Sequence, residues 1–105
     1  MATRSAAREP YEVDLLPSAA RELDELPDAV REEAYYLINA LAEDPRPPDA
    51  EPLRSYANRY KIKFYRVRTR PRFRLIYEVN DPRRRVLVTA VRLRNRETYR
   101  GMNRW

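Results

Sequence analysis

Histidine and cysteine are both absent from this chain of 105 residues. Their absence excludes zinc sites built from thiolate and imidazole, together with Cys–His and Ser–His nucleophile pairs. A carboxylate-bound magnesium site stays open in principle, but the chemistry read from the remaining residues needs no metal and no cofactor. Long apolar runs are missing too. None approaches the roughly 20 residues of a membrane span, and residues 1–9 lack the apolar stretch of a signal peptide. A cytoplasmic location without membrane contact is therefore expected. Lysine is scarce, with two against twenty arginines. A GC-rich genome accounts for such a bias, so arginine abundance alone carries little functional weight. Internal repeats and low-complexity linkers are also lacking. The expected organisation is a tail over residues 1–9 and one domain over 10–105, long enough for a core without disulfides.

What is present is charge, unevenly placed. Residues 1–50 hold 5 basic and 12 acidic side chains, a net of −7. Residues 51–105 hold 17 basic and 4 acidic, a net of +13. A strongly basic half in a small domain suggests a polyanionic partner, usually nucleic acid.

The pattern along the chain predicts an α+β fold. Tyr11 to Leu15 alternates apolar and acidic residues, as in a half-buried strand. Pro17 suits the first turn of a helix, where its missing N–H costs nothing. Ala19, Leu23 and Leu26 give that helix one apolar stripe, and Pro27 breaks it. A second helix begins near Asp28, with Val30, Ala34, Leu37, Ile38 and Leu41 at helical spacing. Asp44-Pro45 ends it, and Pro47-Pro48 forms a stiff connection. The two helices make a hairpin suited to cover one face of a sheet.

The second half reads as an antiparallel β-meander completing one sheet. Tyr60, Ile62 and Phe64 point one way, Lys61 and Lys63 the other. The alternation slips near Tyr65, and a β-bulge there would keep Lys61, Lys63, Arg66 and Arg68 together. Pro71 marks a turn region. Phe73, Leu75, Tyr77 and Val79 face the core in the next strand, leaving Arg74 outward, and Asn80-Asp81-Pro82 makes a second turn. The last strand, from about Arg85 to Leu93, places Leu87, Val91 and Leu93 on one side and Arg92, Arg94 and Arg96 on the other. Lys61, Lys63, Arg74 and Arg94 thus share a face, with Tyr99 just beyond. Like charges side by side on a sheet repel, so their clustering argues for a ligand. After Glu51, only Glu78, Asp81 and Glu97 are acidic.

At these residues the chain resembles the RelE family of bacterial toxins, within the RelE/ParE superfamily. The resemblance runs from Tyr11 to Tyr99 and includes Leu53. It is carried by Tyr60-Lys61-Ile62-Lys63, by Arg74-Leu75-Ile76-Tyr77, and by Val91-Arg92-Leu93-Arg94-Asn95-Arg96-Glu97 with Tyr99. The strand, helical hairpin and meander are shared with ParE-type gyrase inhibitors, whereas the two lysines, two arginines and tyrosine favour the nuclease branch. The resemblance implies a ribosome-dependent endoribonuclease that cuts mRNA, partnered by a cognate antitoxin protein. Carried over by position, Lys61, Lys63, Arg74, Arg94 and Tyr99 form the catalytic set. The chain departs from the pattern in a longer stretch between Lys63 and Arg74. It also has a shorter interval from Arg94 to Tyr99, so Arg92 or Arg96 is able to exchange roles with Arg94.

The chemistry agrees with this resemblance. RNA carries its own nucleophile, the 2′-hydroxyl, so organising its attack requires no metal. Guanidinium groups at Arg74 and Arg94 suit the negative charge that develops on the phosphoryl oxygens. Without histidine, lysine and tyrosine remain as proton shuttles. Lys63 is assigned as general acid, Lys61 as the group holding or activating the reactants, and Tyr99 as a stacking or positioning group, in an order open to permutation. Arg66, Arg68, Arg70 and Arg72 form a hairpin arm read as phosphate anchors for ribosomal RNA, with Arg92 and Arg96 as further RNA contacts. Contact with about six phosphates would give a slope near −4 for log affinity against log salt. Two other readings remain: a ParE-like gyrase inhibitor, and a family member that binds RNA without cutting it.

Overall fold

The computed structural model describes residues 9–68 and 70–93. Arg94, Arg96, Tyr99 and most of the N-terminal tail lie outside the described residues. The order of elements is β1 (Glu12–Leu15), α1 (Pro17–Asp24), α2 (Asp28–Ala40), β2 (Glu51–Pro52), β3 (Arg59–Val67), β4 (Arg70–Asn80) and β5 (Arg85–Leu93). The strands form one mixed sheet in the order β1-β5-β4-β3-β2. β1 runs parallel to β5, and the other pairings are antiparallel. This is the expected α+β architecture, with the short edge strand β2 added.

Local sequence explains the helices. Pro17 sits at the start of α1, where no intrahelical N–H is required. Asp28 opens α2, complementing the positive end of its dipole. Ala19 and Leu23 of α1 and Val30, Ala34 and Ile38 of α2 are buried, as are Leu26 and Leu41. These side chains pack against Ile62 and Phe64 of β3, Leu75, Tyr77 and Val79 of β4, and Val86, Val88 and Val91 of β5. The hairpin thus covers one face of the sheet. A smaller cluster of Leu53, Ile76 and Ala90, flanked by Tyr56, lies apart from this core.

Three local expectations are corrected. Tyr65 makes no bulge, because β3 and β4 stay in one register from Arg59↔Glu78 to Val67↔Arg70. Instead Tyr65 takes a left-handed φ of 56°, and its N–H donates to Glu33 Oε2 at 3.1 Å. That turn sends its ring to the core side, where it meets Phe73 edge-on. The conformation is costly for a residue with a Cβ; the aromatic contact and the hydrogen bond offset it. Pro71 lies inside β4 opposite Arg66, and the hairpin turns beyond Val67 and Arg70, with Arg68 at φ 62°. Tight hairpin turns require such positive φ values.

The bulge of this sheet is elsewhere. Ile76 pairs with Ala90 but Tyr77 pairs with Val88, leaving Thr89 as an extra residue in β5. Its hydroxyl donates to the Ile76 carbonyl at 3.3 Å. The insertion flips the alternation, so Val86, Val88 and Val91 all reach the helix-side core. Leu87 therefore does not share a face with Val91.

Candidate functional site

The face opposite the helices carries the cations. Lys63 of β3 stands directly across from Arg74 of β4, and Arg74 directly across from Arg92 of β5. One register step away, Lys61 is opposite Ile76 and Ile76 opposite Ala90. Three of the residues singled out from sequence thus form a row, with Lys61 flanking it. Arg74 is completely buried, at 0% exposure, while Lys61, Lys63 and Arg92 are half-buried. Arg74 lies outward of the helix-side core, across from Lys63, yet it is buried there.

Side-by-side cations destabilise a sheet unless anions intervene. Two carboxylates from outside the meander do so. Glu51 of β2 lies opposite Lys61 in the β2–β3 pairing. Its Oε2 is 3.3 Å from Lys63 Nζ and its Oε1 3.9 Å from Lys61 Nζ. Glu22 of α1 accepts the Arg92 Nε–H at 2.8 Å and the Val91 N–H at 3.0 Å. β1 ends its pairing at Val88, so this stretch of β5 faces an open edge, and Glu22 caps it. Neither acidic residue was legible as part of the site. Glu22 is 70 residues from Arg92 along the chain, and only the packing of α1 on β5 brings them together. Glu51 carried no local signal, because its register against Lys61 depends on a two-residue edge strand.

Two depressions flank the row. A recess of about 290 Å³ is lined by Pro48, Asp49, Glu51, Lys63, Arg66 and Pro71. Arg66 thus does join Lys63, as the bulge was expected to arrange, through the left-handed turn at Tyr65. A groove of about 320 Å³ is lined by Leu16, Ser18, Arg59, Glu78, Thr89 and Arg92. There Arg59 is paired across the strands with Glu78 at 3.0 Å. Arg66, Arg68, Arg70 and Arg72 are all exposed on the β3–β4 arm.

A separate polar network closes the far end of the sheet. Arg46 grips Asp81 with Nη1 and Nη2 at 3.1 and 2.9 Å and donates its Nε–H to Tyr60 at 2.8 Å. Tyr11 adds its hydroxyl to Asp81 at 2.6 Å. Tyr60 stacks on Tyr77, whose hydroxyl donates to the Pro45 carbonyl. The Arg46 guanidinium, and then the Tyr11 hydroxyl, hold the Asp81 carboxyl below the usual carboxylate range. The Tyr11 phenol is pushed up, chiefly by its bond to Asp81. Burial pushes up the Tyr77 phenol as well. These groups tie the Pro45-Arg46 loop to the strand ends, away from the lysines.

Comparison with known proteins places this geometry. No protein-family sequence model matches the chain, and no curated protein matches it by sequence. Solved structures do match. A chain of the intact E. coli RelBE toxin–antitoxin complex is 31% identical with a TM-score of 0.67, over 82% of this chain and 99% of that one. E. coli toxin RelE in the free state, in a doubly substituted form, is 30% identical with a TM-score of 0.70, over 90% and 97%. The M. tuberculosis toxin–antitoxin complex RelBE2 gives 25% identity and a TM-score of 0.65, over 81% and 99%. The fold is thus that of these small α+β toxins. With 31% identity over almost the whole of a solved relative, the chain belongs to the RelE family of toxins. No helix among the described residues is long and apolar enough to cross a membrane.

Proposed function

We propose that this toxin is a ribosome-dependent mRNA endonuclease of a type II toxin–antitoxin pair. The observation that carries the reading is the aligned row Lys63–Arg74–Arg92 with Lys61 beside it, in a chain of the RelE family. Cleavage starts when the 2′-hydroxyl oxygen attacks the adjacent phosphorus and the bond to the 5′ oxygen breaks. Lys61 holds and activates the reacting groups as the base that takes the 2′-hydroxyl proton, and Lys63 Nζ donates a proton to the leaving oxygen. Arg74 lies buried between Lys63 and Arg92, so its fixed charge adds to the positive field felt by a phosphoryl group bound over the accessible lysines. Arg94 and Tyr99 complete the set by their sequence positions, outside the described residues.

The exposed arginines of the β3–β4 arm suit phosphate anchoring on ribosomal RNA. The partner in the cell is a cognate antitoxin, in keeping with the relatives solved as RelBE complexes, and a basic face attracts an acidic or amphipathic segment. Proton transfer contributes roughly 10²–10⁴-fold, so orientation supplies much of the remainder. An mRNA already held by the ribosome is oriented, and naked RNA is then a poor substrate.

The test is a bacterial translation extract with purified toxin, mapping mRNA 5′ ends beside a Lys61→Ala control. New ends in register with the reading frame, absent in the control, are expected. Intact mRNA under continued translation would refute the nuclease reading.

A further inference from the structure

The two lysines already hold an anion. Glu51 presents one carboxylate oxygen to each ammonium group, 3.3 Å from Lys63 and 3.9 Å from Lys61. Two oxygens on one trigonal centre, each facing a cation, reproduce what two non-bridging oxygens of a phosphodiester would offer the same pair. The placement is built into the fold. β2 is only two residues long, and its pairing sets Glu51 opposite Lys61 and Pro52 opposite Tyr60. The Leu53 N–H donates to the Arg59 carbonyl at 2.9 Å, and the Leu53 side chain is buried against Ile76 and Ala90. The strand is thus anchored directly after Glu51, while the Glu51 side chain is nearly half exposed, at 47%. It is held at its root and exposed to solvent at its tip, on the rim of the recess that Lys63 and Arg66 also line.

We propose that Glu51 is an internal competitor for the anion site of Lys61 and Lys63. Its carboxylate occupies the place of a phosphodiester until the RNA backbone displaces it. The inference rests on the nuclease reading for the identity of the displacing anion, and it adds a selectivity device. A weak or isolated anion faces a resident carboxylate at high effective concentration. A backbone that also engages Arg66 and the arm pushes that carboxylate aside. Pairing with Glu51 also offsets the repulsion between the two lysines while the site awaits substrate.

The test is binding of a fluorescent, short, 2′-deoxy oligonucleotide, which offers phosphodiesters but no 2′ nucleophile, to the full chain across a salt series. Glu51→Gln removes the competing charge and keeps the side-chain shape. One further cation becomes available to the strand, so the slope of log affinity against log salt should steepen by about 0.7. By the same relation the variant should bind about 5-fold tighter at 0.1 M salt and about 2-fold tighter at 0.4 M. Glu51→Ser should give the same gain, which guards against an effect of the glutamine amide. Asp49→Asn, in the same recess, should give a smaller one. Unfolding midpoints of all three confirm that they are folded.

Unchanged or weaker binding by both Glu51 variants would overturn the proposal, as would an equal gain from Asp49→Asn. Loss of cleavage with unaltered oligonucleotide affinity would assign Glu51 to proton transfer instead and overturn it as well. Because the probe is uncleavable, tighter binding in a protein that cuts no mRNA would retain the competitor and discard the nuclease.

Discussion

Glu22 is the side chain whose removal tests most sharply how the cationic face is supported. In Glu22→Ala, the Val91 N–H at the open edge of β5 loses its acceptor, and Arg92 loses the carboxylate 2.8 Å from its Nε. An orphaned, partly buried N–H costs about 1–3 kcal/mol. The Arg92 pair is roughly a third exposed on both sides, so screening limits its share to about 1 kcal/mol or less. The sum is about 2 kcal/mol, and at 4–8 °C per kcal/mol for a domain near this size the melting midpoint should fall by about 8–16 °C. Glu22→Gln keeps an acceptor for Val91 and gives up only the charge, so its cost should stay below about 1 kcal/mol. Circular dichroism melts of Glu22→Ala, Glu22→Gln, Arg92→Ala and the Glu22→Ala/Arg92→Ala double variant separate the two terms. Equal midpoints for the alanine and glutamine variants would refute the edge-capping role of Glu22. Strict additivity of the two alanine changes would refute the coupling to Arg92.

The far-end network makes stability depend on pH. Asp81 has its folded pKa depressed by Arg46 and Tyr11, so its contribution is present above the unfolded value of about 3.9 and is lost as pH falls through the lower folded value. Melting midpoints of the parent protein and Asp81→Asn should therefore differ at neutral pH and converge in acid; a constant gap down to pH ~2 would contradict this. In the core, Leu23→Ala should destabilise by about 2–5 kcal/mol, read by urea titration, because Leu23 is almost fully buried between α1 and the sheet. Lys63→Ala should lower ribosome-dependent cleavage by about 10²-fold or more with the melting midpoint within a few degrees of the parent. A loss of activity that tracked unfolding would remove Lys63 from proton transfer.

Sequence periodicity determined the secondary elements and the pairing of core faces. The stripes Ala19–Leu23 and Val30–Ala34–Ile38, and the alternation at Ile62–Phe64 and Leu75–Tyr77–Val79, all reappear as buried contacts. Those patterns are local, since burial of one face imposes a period of 3.6 or 2 on consecutive residues. The lysine strand and the arginine strand likewise announced their shared face, because register follows once each strand's inner face is known.

Tertiary structure alone decided what holds that face together. Which carboxylates reach the cations depends on how α1 crosses the edge of β5 and on a two-residue strand too short to show a period. The position of the bulge at Thr89 rather than Tyr65 was equally hidden. An inserted residue and a single left-handed one disturb the alternation in the same way, and only the pairing partner distinguishes them. The burial of Arg74 belongs to the same class. Its alternation placed it on the cationic face, but exposure depends on neighbours brought in from distant parts of the chain.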